Sequence, residues 1–119
     1  MRIAMPRGDI YYIEFTVIDE EPDKIMDIDF QEIFFTVKKK YSDQNFIIQK
    51  KLSTGGISKI DTGTYRIKIN PEDTNNLPIC KSNESYEFDI ELIHENIIKS
   101  TVCGQFILTR EVTWASNEG

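Results

Sequence analysis

Three carboxylates recur at every second position in one stretch of the chain. They are Glu87, Asp89 and Glu91. In a β-strand this spacing places all three on one face, with neighbours about 7 Å apart, which is near the separation that two glycosidase carboxylates use. The sequence has no tryptophan close to them that could stack on a sugar. We therefore interpret the row as a solvated outer face, paired across strands with Arg66 or Lys68.

A second acidic cluster begins where the period-2 pattern of a strand stops. The pattern ends at Ile69, and the next residues are Asn70, Pro71, Glu72 and Asp73. Asparagine is a good helix N-cap, proline suits the first helical position, and acidic residues are favoured at the positive end of a helical turn. The cluster is thus predicted to be a one-turn helix that carries the chain from one sheet to the other over Leu77. A carboxylate or metal site is the weaker interpretation.

The chain has few residues that could serve as nucleophile, general base or soft metal ligand. His94 is the only histidine, and Cys80 and Cys103 are the only cysteines, without CxxC spacing. A nucleophile needs a base within hydrogen-bond reach, yet His94 is expected to lie exposed in a hairpin turn, with Cys103 further along the next strand. We interpret both thiols as reduced, with a bridge between them as the alternative. The sequence predicts no catalytic residue, no cofactor and no metal site, and therefore no enzyme.

Three further motifs have simpler interpretations than the functions they invite. Arg7-Gly8-Asp9 matches an integrin-binding motif, but the motif consists of three common residues and is therefore a weak signal. Asn83-Glu84-Ser85 matches an N-glycosylation acceptor, which matters only in a secretory pathway. The acidic loop at positions 19–23 contains Asp19, Glu20, Glu21 and Asp23. This loop lacks the ligand spacing and the glycine of a calcium loop.

Length and charge restrict the classes of partner. At 119 residues the chain fits one domain, predicted to span 1–119 with a short tail at 114–119. Twenty acidic and 14 basic residues give a formal charge of −6, which would repel a phosphate backbone, and Lys38-Lys39-Lys40 is interpreted as a solvated strand end. The sequence contains no apolar run of about 18 residues and no signal-peptide core. We expect no nucleic-acid partner, no membrane, and synthesis in a cytoplasm.

Short apolar alternations at even intervals predict an all-β protein. The predicted strands begin near Tyr11, Ile33, Phe46, Ile57, Thr64, Tyr86 and Ile97. Seven short strands in roughly 100 residues favour an immunoglobulin-like antiparallel β-sandwich. Along the first strand the outward residues are Tyr12, Glu14 and Thr16. The phase of the last two strands places Phe88 and Phe106 in the core and Asp89 in solvent, while Gly104 marks a bulge or a close backbone approach.

Seven segments taken together resemble a known family. They are RGD, VKKKYSDQ, IIQK, GGI, GTYRIKINPEDTNNL, YEFDIEL and GQFILTREVT. Over about residues 7–113 the chain resembles small phage virion proteins, and in particular the immunoglobulin-like N-terminal domain of phage upper baseplate proteins. The resemblance implies a non-enzymatic structural component of the virion, in its baseplate, tail, neck or head. The implied partners are other virion proteins, with homo-oligomers inside the particle. The resemblance also implies that Gly8 and Asp9 start the first strand.

Trp114 follows the last predicted strand and opens the polar tail at 114–119. Indoles are favoured anchors in protein interfaces, so Trp114 is the predicted partner-binding residue. The alternative is that Trp114 folds back and plugs the open end of the sandwich. A second functional hypothesis is a small carbohydrate-binding or adhesion module, which would expose coplanar aromatic side chains. The candidates for such a platform are Tyr11, Phe34 and Trp114.

Overall fold

The computed structural model describes residues 2–19, 24–25, 30–77, 83–95 and 97–109, with the backbone alone at 19, 24–25 and 97–100. Within these ranges the chain forms ten strands and one short helix. The strands are β1 (Arg2–Pro6), β2 (Tyr11–Thr16), β3 (Ile18–Asp19), β4 (Lys24–Ile25), β5 (Glu32–Lys38), β6 (Ile48–Lys51), β7 (Ile57–Asp61), β8 (Thr64–Ile69), β9 (Asn83–His94) and β10 (Ile97–Thr109). The helix is α1 (Pro71–Thr74).

Two sheets form the sandwich. The five-stranded sheet has the order β1-β10-β9-β5-β6, and the three-stranded sheet has the order β2-β8-β7. In the lettering of the immunoglobulin fold, β10-β9-β5 corresponds to strands G-F-C and β2-β8-β7 to B-E-D. β3 and β4 pair only with each other in a small hairpin. The predicted all-β sandwich is confirmed.

The core lies between the two sheets and is built from alternate residues of each strand. β5 shows the pattern most regularly, because Ile33, Phe35 and Val37 are buried while their neighbours are half-exposed. Phe35 contacts Phe88 and Phe106, with ring centroids 5.5 and 6.4 Å apart respectively. The predicted burial of Phe88 and Phe106 is confirmed, since neither side chain is exposed.

The N-terminal strand β1 was missed by the sequence analysis. β1 runs parallel to β10 and buries Ile3 and Met5. Two buried positions in five residues give too short an alternation to recognise without the partner strand. The prediction that Gly8 and Asp9 start the first strand is wrong, because they lie in the turn between β1 and β2. Gly8 has φ +84° there, a left-handed conformation that favours glycine.

Two details of the predicted connections are now resolved. The irregularity in β10 lies between Ile98 and Ser100, whereas Gly104 pairs regularly with Phe88, so of the two options predicted for Gly104 the bulge is wrong. The crossover prediction is confirmed: α1 links β8 of the three-stranded sheet to β9 of the five-stranded sheet. Leu77, which follows α1, is partly buried against the core.

Candidate interaction surfaces

The acidic cluster of the crossover has a structural role. The carboxylate of Asp73 accepts a hydrogen bond of 2.7 Å from the backbone N–H of Asn70, which closes the first turn of α1. The same carboxylate oxygen lies 2.7 Å from Nζ of Lys50 on β6. Both charged side chains are largely shielded from water, with 13% of Lys50 and 22% of Asp73 exposed. Asp73 therefore ties the crossover to the edge of the five-stranded sheet.

The Arg7-Gly8-Asp9 turn is held against the same crossover. The guanidinium of Arg7 donates to the carbonyl oxygen of Leu77 at 3.1 Å. The N–H of Gly8 donates to the hydroxyl of Thr74 at 2.8 Å, and Thr74 is fully buried. A receptor-binding tripeptide projects its charged ends, but here the basic end is bound to the protein's own backbone. The motif is a packing device between the β1–β2 turn and α1.

The three carboxylates of β9 share the outer face of the five-stranded sheet, as predicted. The prediction that Arg66 or Lys68 pairs with them is wrong, because both residues lie on β8 in the other sheet. Glu87 instead accepts a hydrogen bond of 2.5 Å from the backbone N–H of Tyr41. The neighbours of Asp89 across the ladder are Thr36 on β5 and Cys103 on β10.

Asp89 is only partly solvated. Its Oδ1 is buried and has no hydrogen-bond partner within the described part of the chain. Burial raises the pKa of the Asp89 carboxyl, and the charge of Lys38 opposes part of that rise. The prediction that Asp89 faces open solvent is wrong. Its strand phase is correct, but the loop that follows β5 covers this part of the outer face.

Tyr41, in the loop that follows β5, lies over the outer face of the five-stranded sheet. Its hydroxyl lies 3.2 Å from the carbonyl oxygen of Phe88 and 3.1 Å from that of Gly104. Desolvation raises the pKa of the Tyr41 hydroxyl, and Cys103 adds to the rise through its charge and a hydrogen bond. Tyr41 thus contacts the backbone at Gly104, and the close backbone approach that the sequence offers as its second option for Gly104 stays a prediction.

The basic run at the end of β5 is used to fasten the same loop. Lys38 Nζ donates to the carbonyl oxygen of Asp43 at 2.8 Å. Lys39 Nζ lies 3.1 Å from the carboxylate of Glu84 and 4.7 Å from the centre of the Tyr86 ring. These contacts place the lysine charges against loop and sheet atoms of the protein itself.

His94 and Cys103 are not brought together. His94 ends β9 opposite Ile97, whereas Cys103 lies further along β10, opposite Asp89. His94 is half-buried with 27% of its side chain exposed, and it packs edge-on against Phe30 at 6.5 Å, so the prediction of an exposed turn histidine is wrong. Cys103 is exposed and carries a free thiol. Cys80 lies outside the described residues.

Several other predictions fall wholly or partly outside the described ranges. Trp114 and the tail at 114–119 lie there, as do Glu20, Glu21 and Asp23 of the acidic loop. Within the described ranges no three His, Cys, Asp or Glu side chains form a group that could hold a metal ion. No helix in the described part of the chain is long and apolar enough to cross a membrane.

The aromatic residues proposed for a sugar platform do not share a surface. Tyr11 is on β2 and packs partly against the core. Phe34 is on β5 in the other sheet, where Nζ of Lys51 lies 5.6 Å from its ring centre. These two members of the proposed platform therefore cannot stack side by side on one sugar.

The outer face of the three-stranded sheet carries a different cluster, which the sequence analysis did not single out. Nε and Nη2 of Arg66 contact one carboxylate oxygen of Glu14 at 2.9 and 2.7 Å. The guanidinium also lies 5.3 Å from the centre of the Tyr12 ring. Tyr12 on β2 is 50% exposed, and two apolar side chains near this strand are also exposed: Ile10, just before β2, at 55% and Ile18, in β3, at 53%. The outward phase of Tyr12 and Glu14 was the available sequence signal.

The amino-acid sequence was compared with models of known protein families and with curated protein sequences. No model of a known protein family matches the chain. No curated protein sequence matches it either. The geometry of the sandwich and its surfaces is therefore the main basis for a functional proposal, together with the resemblance of the seven sequence segments.

Proposed function

We propose that this chain is a non-enzymatic structural protein of a bacteriophage particle that acts by binding neighbouring virion proteins. The seven segments from RGD to GQFILTREVT support the assignment to a particle, because together they resemble the immunoglobulin-like domain of phage upper baseplate proteins. The particle location, in baseplate, tail, neck or head, is left to experiment. The other virion proteins and further copies of the chain itself are the proposed partners.

One structural observation carries the non-enzymatic part of this proposal. Two motifs that invite a functional interpretation, the acidic crossover and Arg7-Gly8-Asp9, are engaged in holding the sandwich together. Asp73 binds Lys50 and the backbone of Asn70, and Arg7 binds the carbonyl oxygen of Leu77. Large apolar side chains are exposed on several strands, among them Tyr12, Ile60 and Val102, and such side chains are typical of protein interfaces.

Trp114 is proposed to bind partner proteins in addition to the exposed apolar side chains of the sandwich. It lies outside the described residues, so its assignment rests on the sequence, where a large aromatic opens a polar tail. An indole anchor in a short tail could engage a neighbouring subunit while the sandwich provides a stable base.

The proposal is tested on particles of the phage that encodes the chain. An antibody raised against the purified protein should label gradient-purified particles in negative-stain images, at one defined position on the particle. Mass spectrometry of the same particles should detect the chain in constant ratio to the major capsid protein through successive purification steps. An abundant host protein serves as the control for contamination. Unlabelled particles, or a ratio that falls with purification as the host protein does, would refute the virion assignment.

A further inference from the structure

Open sheet edges usually carry features that prevent pairing with other chains. Prolines, lysines, bulges and short strands are the common ones. At the two ends of the five-stranded sheet, β1 contains Pro6, and β6 is four residues long with Lys50 and Lys51. The part of β10 that extends beyond β1 contains the irregularity between Ile98 and Ser100. Each of these edges is therefore poorly suited to accept another strand.

The two edges of the three-stranded sheet differ from each other. β7 has an irregularity between Lys59 and Asp61, and both of these residues are charged. β2 pairs with β8 in one uninterrupted register, and its described length contains no proline and no lysine. Its single charge, Glu14, is already bound by Arg66. Over its described length β2 therefore lacks these protective features.

The ladder between β2 and β8 determines which backbone groups face this edge. The N–H of Val17 donates to the carbonyl oxygen of Gly63 at 2.8 Å, in line with the register of the strand pair. Hydrogen-bonded and non-hydrogen-bonded pairs alternate along an antiparallel ladder, so the odd-numbered residues of β2 bond to β8. The even-numbered residues point their N–H and C=O groups at the open edge. They are Tyr12, Glu14 and Thr16.

We propose that the β2 edge is an interface at which a second copy of this chain pairs antiparallel to the first, with Ile13 opposite Ile13 of the second copy. In this register the edge-facing N–H and C=O groups of Tyr12 hydrogen-bond to those of Glu14 in the second copy. The two-fold axis generates the same pair between Glu14 of the first copy and Tyr12 of the second. Half-buried Tyr11 lies opposite half-buried Phe15, which makes an aromatic cross-strand pair on each side of the axis. The strand is thus complementary to itself.

Repulsion between like charges disfavours the register in which the two-fold axis passes through Glu14. Shifting the two-fold axis to Glu14 would place two carboxylates directly opposite each other, which destabilises a strand pair. The axis at Ile13 places Tyr12, a half-exposed aromatic residue, opposite each Glu14 instead. This inference deepens the proposed function and rests on it for its place in the particle, because it names a second copy of the chain as one of the assembly partners.

The first test uses charge at Tyr12 in the full-length chain. Sedimentation equilibrium should show a reversible dimer for the wild type. Tyr12→Glu would place a carboxylate opposite Glu14 at two symmetric positions and should raise the dissociation constant about tenfold. Tyr12→Lys would place an ammonium group there and should leave the constant within about threefold. Within one copy Tyr12 lies opposite Lys68 on β8. A glutamate at position 12 would therefore face a lysine there, and Tyr12→Glu is not expected to destabilise the monomer through like-charge repulsion.

The second test removes one backbone donor. Tyr12→Pro deletes an N–H that points at the β2 edge and should abolish the dimer. Lys51→Pro is the matched control on the other sheet. Leu52 N–H bonds to the carbonyl oxygen of Ile33, so the alternation makes the N–H of Lys51 point away from β5 and out of the sheet. The control variant should dimerise as the wild type does.

The possible results separate the two proposals. A wild-type chain that is monomeric at every concentration overturns the β2 interface, as does equal dimerisation of Tyr12→Glu, Tyr12→Lys and wild type. If Tyr12→Pro fails to fold, the glutamate and lysine variants decide the question. A β2-dependent dimer together with unlabelled phage particles would reject the virion assignment alone. Labelled particles with a monomeric chain would reject only the β2 interface.

Discussion

At the scale of single residues, Asp89 lies on the outer face of the five-stranded sheet between Thr36 and Cys103. Its Oδ1 is enclosed without a hydrogen-bond partner in the described structure. An unsatisfied buried acceptor costs stability, and the cost is larger when the group is ionised. Burial accordingly raises the pKa of this carboxyl, although Lys38 stabilises part of the charge.

The pKa of Asp89 predicts a pH-dependent effect of Asp89→Asn. A carboxyl with a raised pKa in the folded state binds its proton more tightly there than in the unfolded chain, so stability falls as pH rises through the folded pKa. At pH 7 the variant should raise the free energy of unfolding by roughly 0.5 to 1 kcal/mol, a modest figure because the group still contacts water. Urea denaturation at pH 7 and near pH 4 measures the difference. It should shrink at the lower pH, and a variant less stable than wild type at pH 7 would contradict the prediction.

Phe88 offers a contrasting case, because it is fully buried against Phe35. Phe88→Ala should lower the free energy of unfolding by roughly 3 to 5 kcal/mol through lost apolar burial and the cavity left behind. The matched control is Phe46→Ala, since Phe46 is 53% exposed. Its effect should stay within about 0.5 kcal/mol. A loss for Phe88→Ala no larger than that for Phe46→Ala, measured by chemical denaturation, would contradict the burial of Phe88.

At the scale of elements, the crossover α1 is stabilised by more than its own helical turn. Sequence signals predict the turn, since Asn70, Pro71 and Asp73 occupy favourable helix-start positions. They do not predict the ion pair in which Nζ of Lys50, on β6, lies 2.7 Å from the Asp73 carboxylate. The ion pair is largely shielded, so it is screened less by salt than an exposed pair.

The contacts of Asp73 predict the cost of Asp73→Ala. The change removes both the acceptor for the Asn70 N–H and the partner of Lys50, so the free energy of unfolding should fall by about 1 to 2 kcal/mol. Glu72→Ala in the same turn is the control, because Glu72 is exposed, and it should change stability by less than about 0.5 kcal/mol. A double-mutant cycle with Lys50→Met measures the coupling. Zero coupling would mean that the ion pair adds nothing to the cap.

At the scale of the whole molecule, the sandwich and the tail at 114–119 are expected to have separate roles. Deleting residues 114–119 should leave a cooperatively folded chain with an unchanged melting temperature that no longer joins its partners in the particle. Calorimetry and particle incorporation are the two measurements. A melting temperature lower by many degrees would instead show that Trp114 completes the sandwich core. Dimerisation through β2 should survive the deletion, because that edge belongs to the sandwich.

The sequence alone was enough to establish the all-β class, the phase of Phe88 and Phe106, and the one-turn helix at the crossover. These features depend on the local backbone, because period-2 alternation and helix capping are set by residues a few positions apart. β1 was missed because its five residues acquire a recognisable pattern only beside β10. The outward residues of β2 were placed on the correct face, but their open edge could not be seen in the sequence.

Only the tertiary structure decided which side chains meet. The sequence placed Arg66 near the acids of β9, yet strand order puts it in the other sheet, where it binds Glu14. It placed Asp89 in solvent, yet Tyr41 and its loop cross the outer face at that point. Sheet membership and loop coverage depend on contacts between residues distant along the chain. Such contacts leave no local periodicity, so the partners of each charge become known only when the two sheets are assembled.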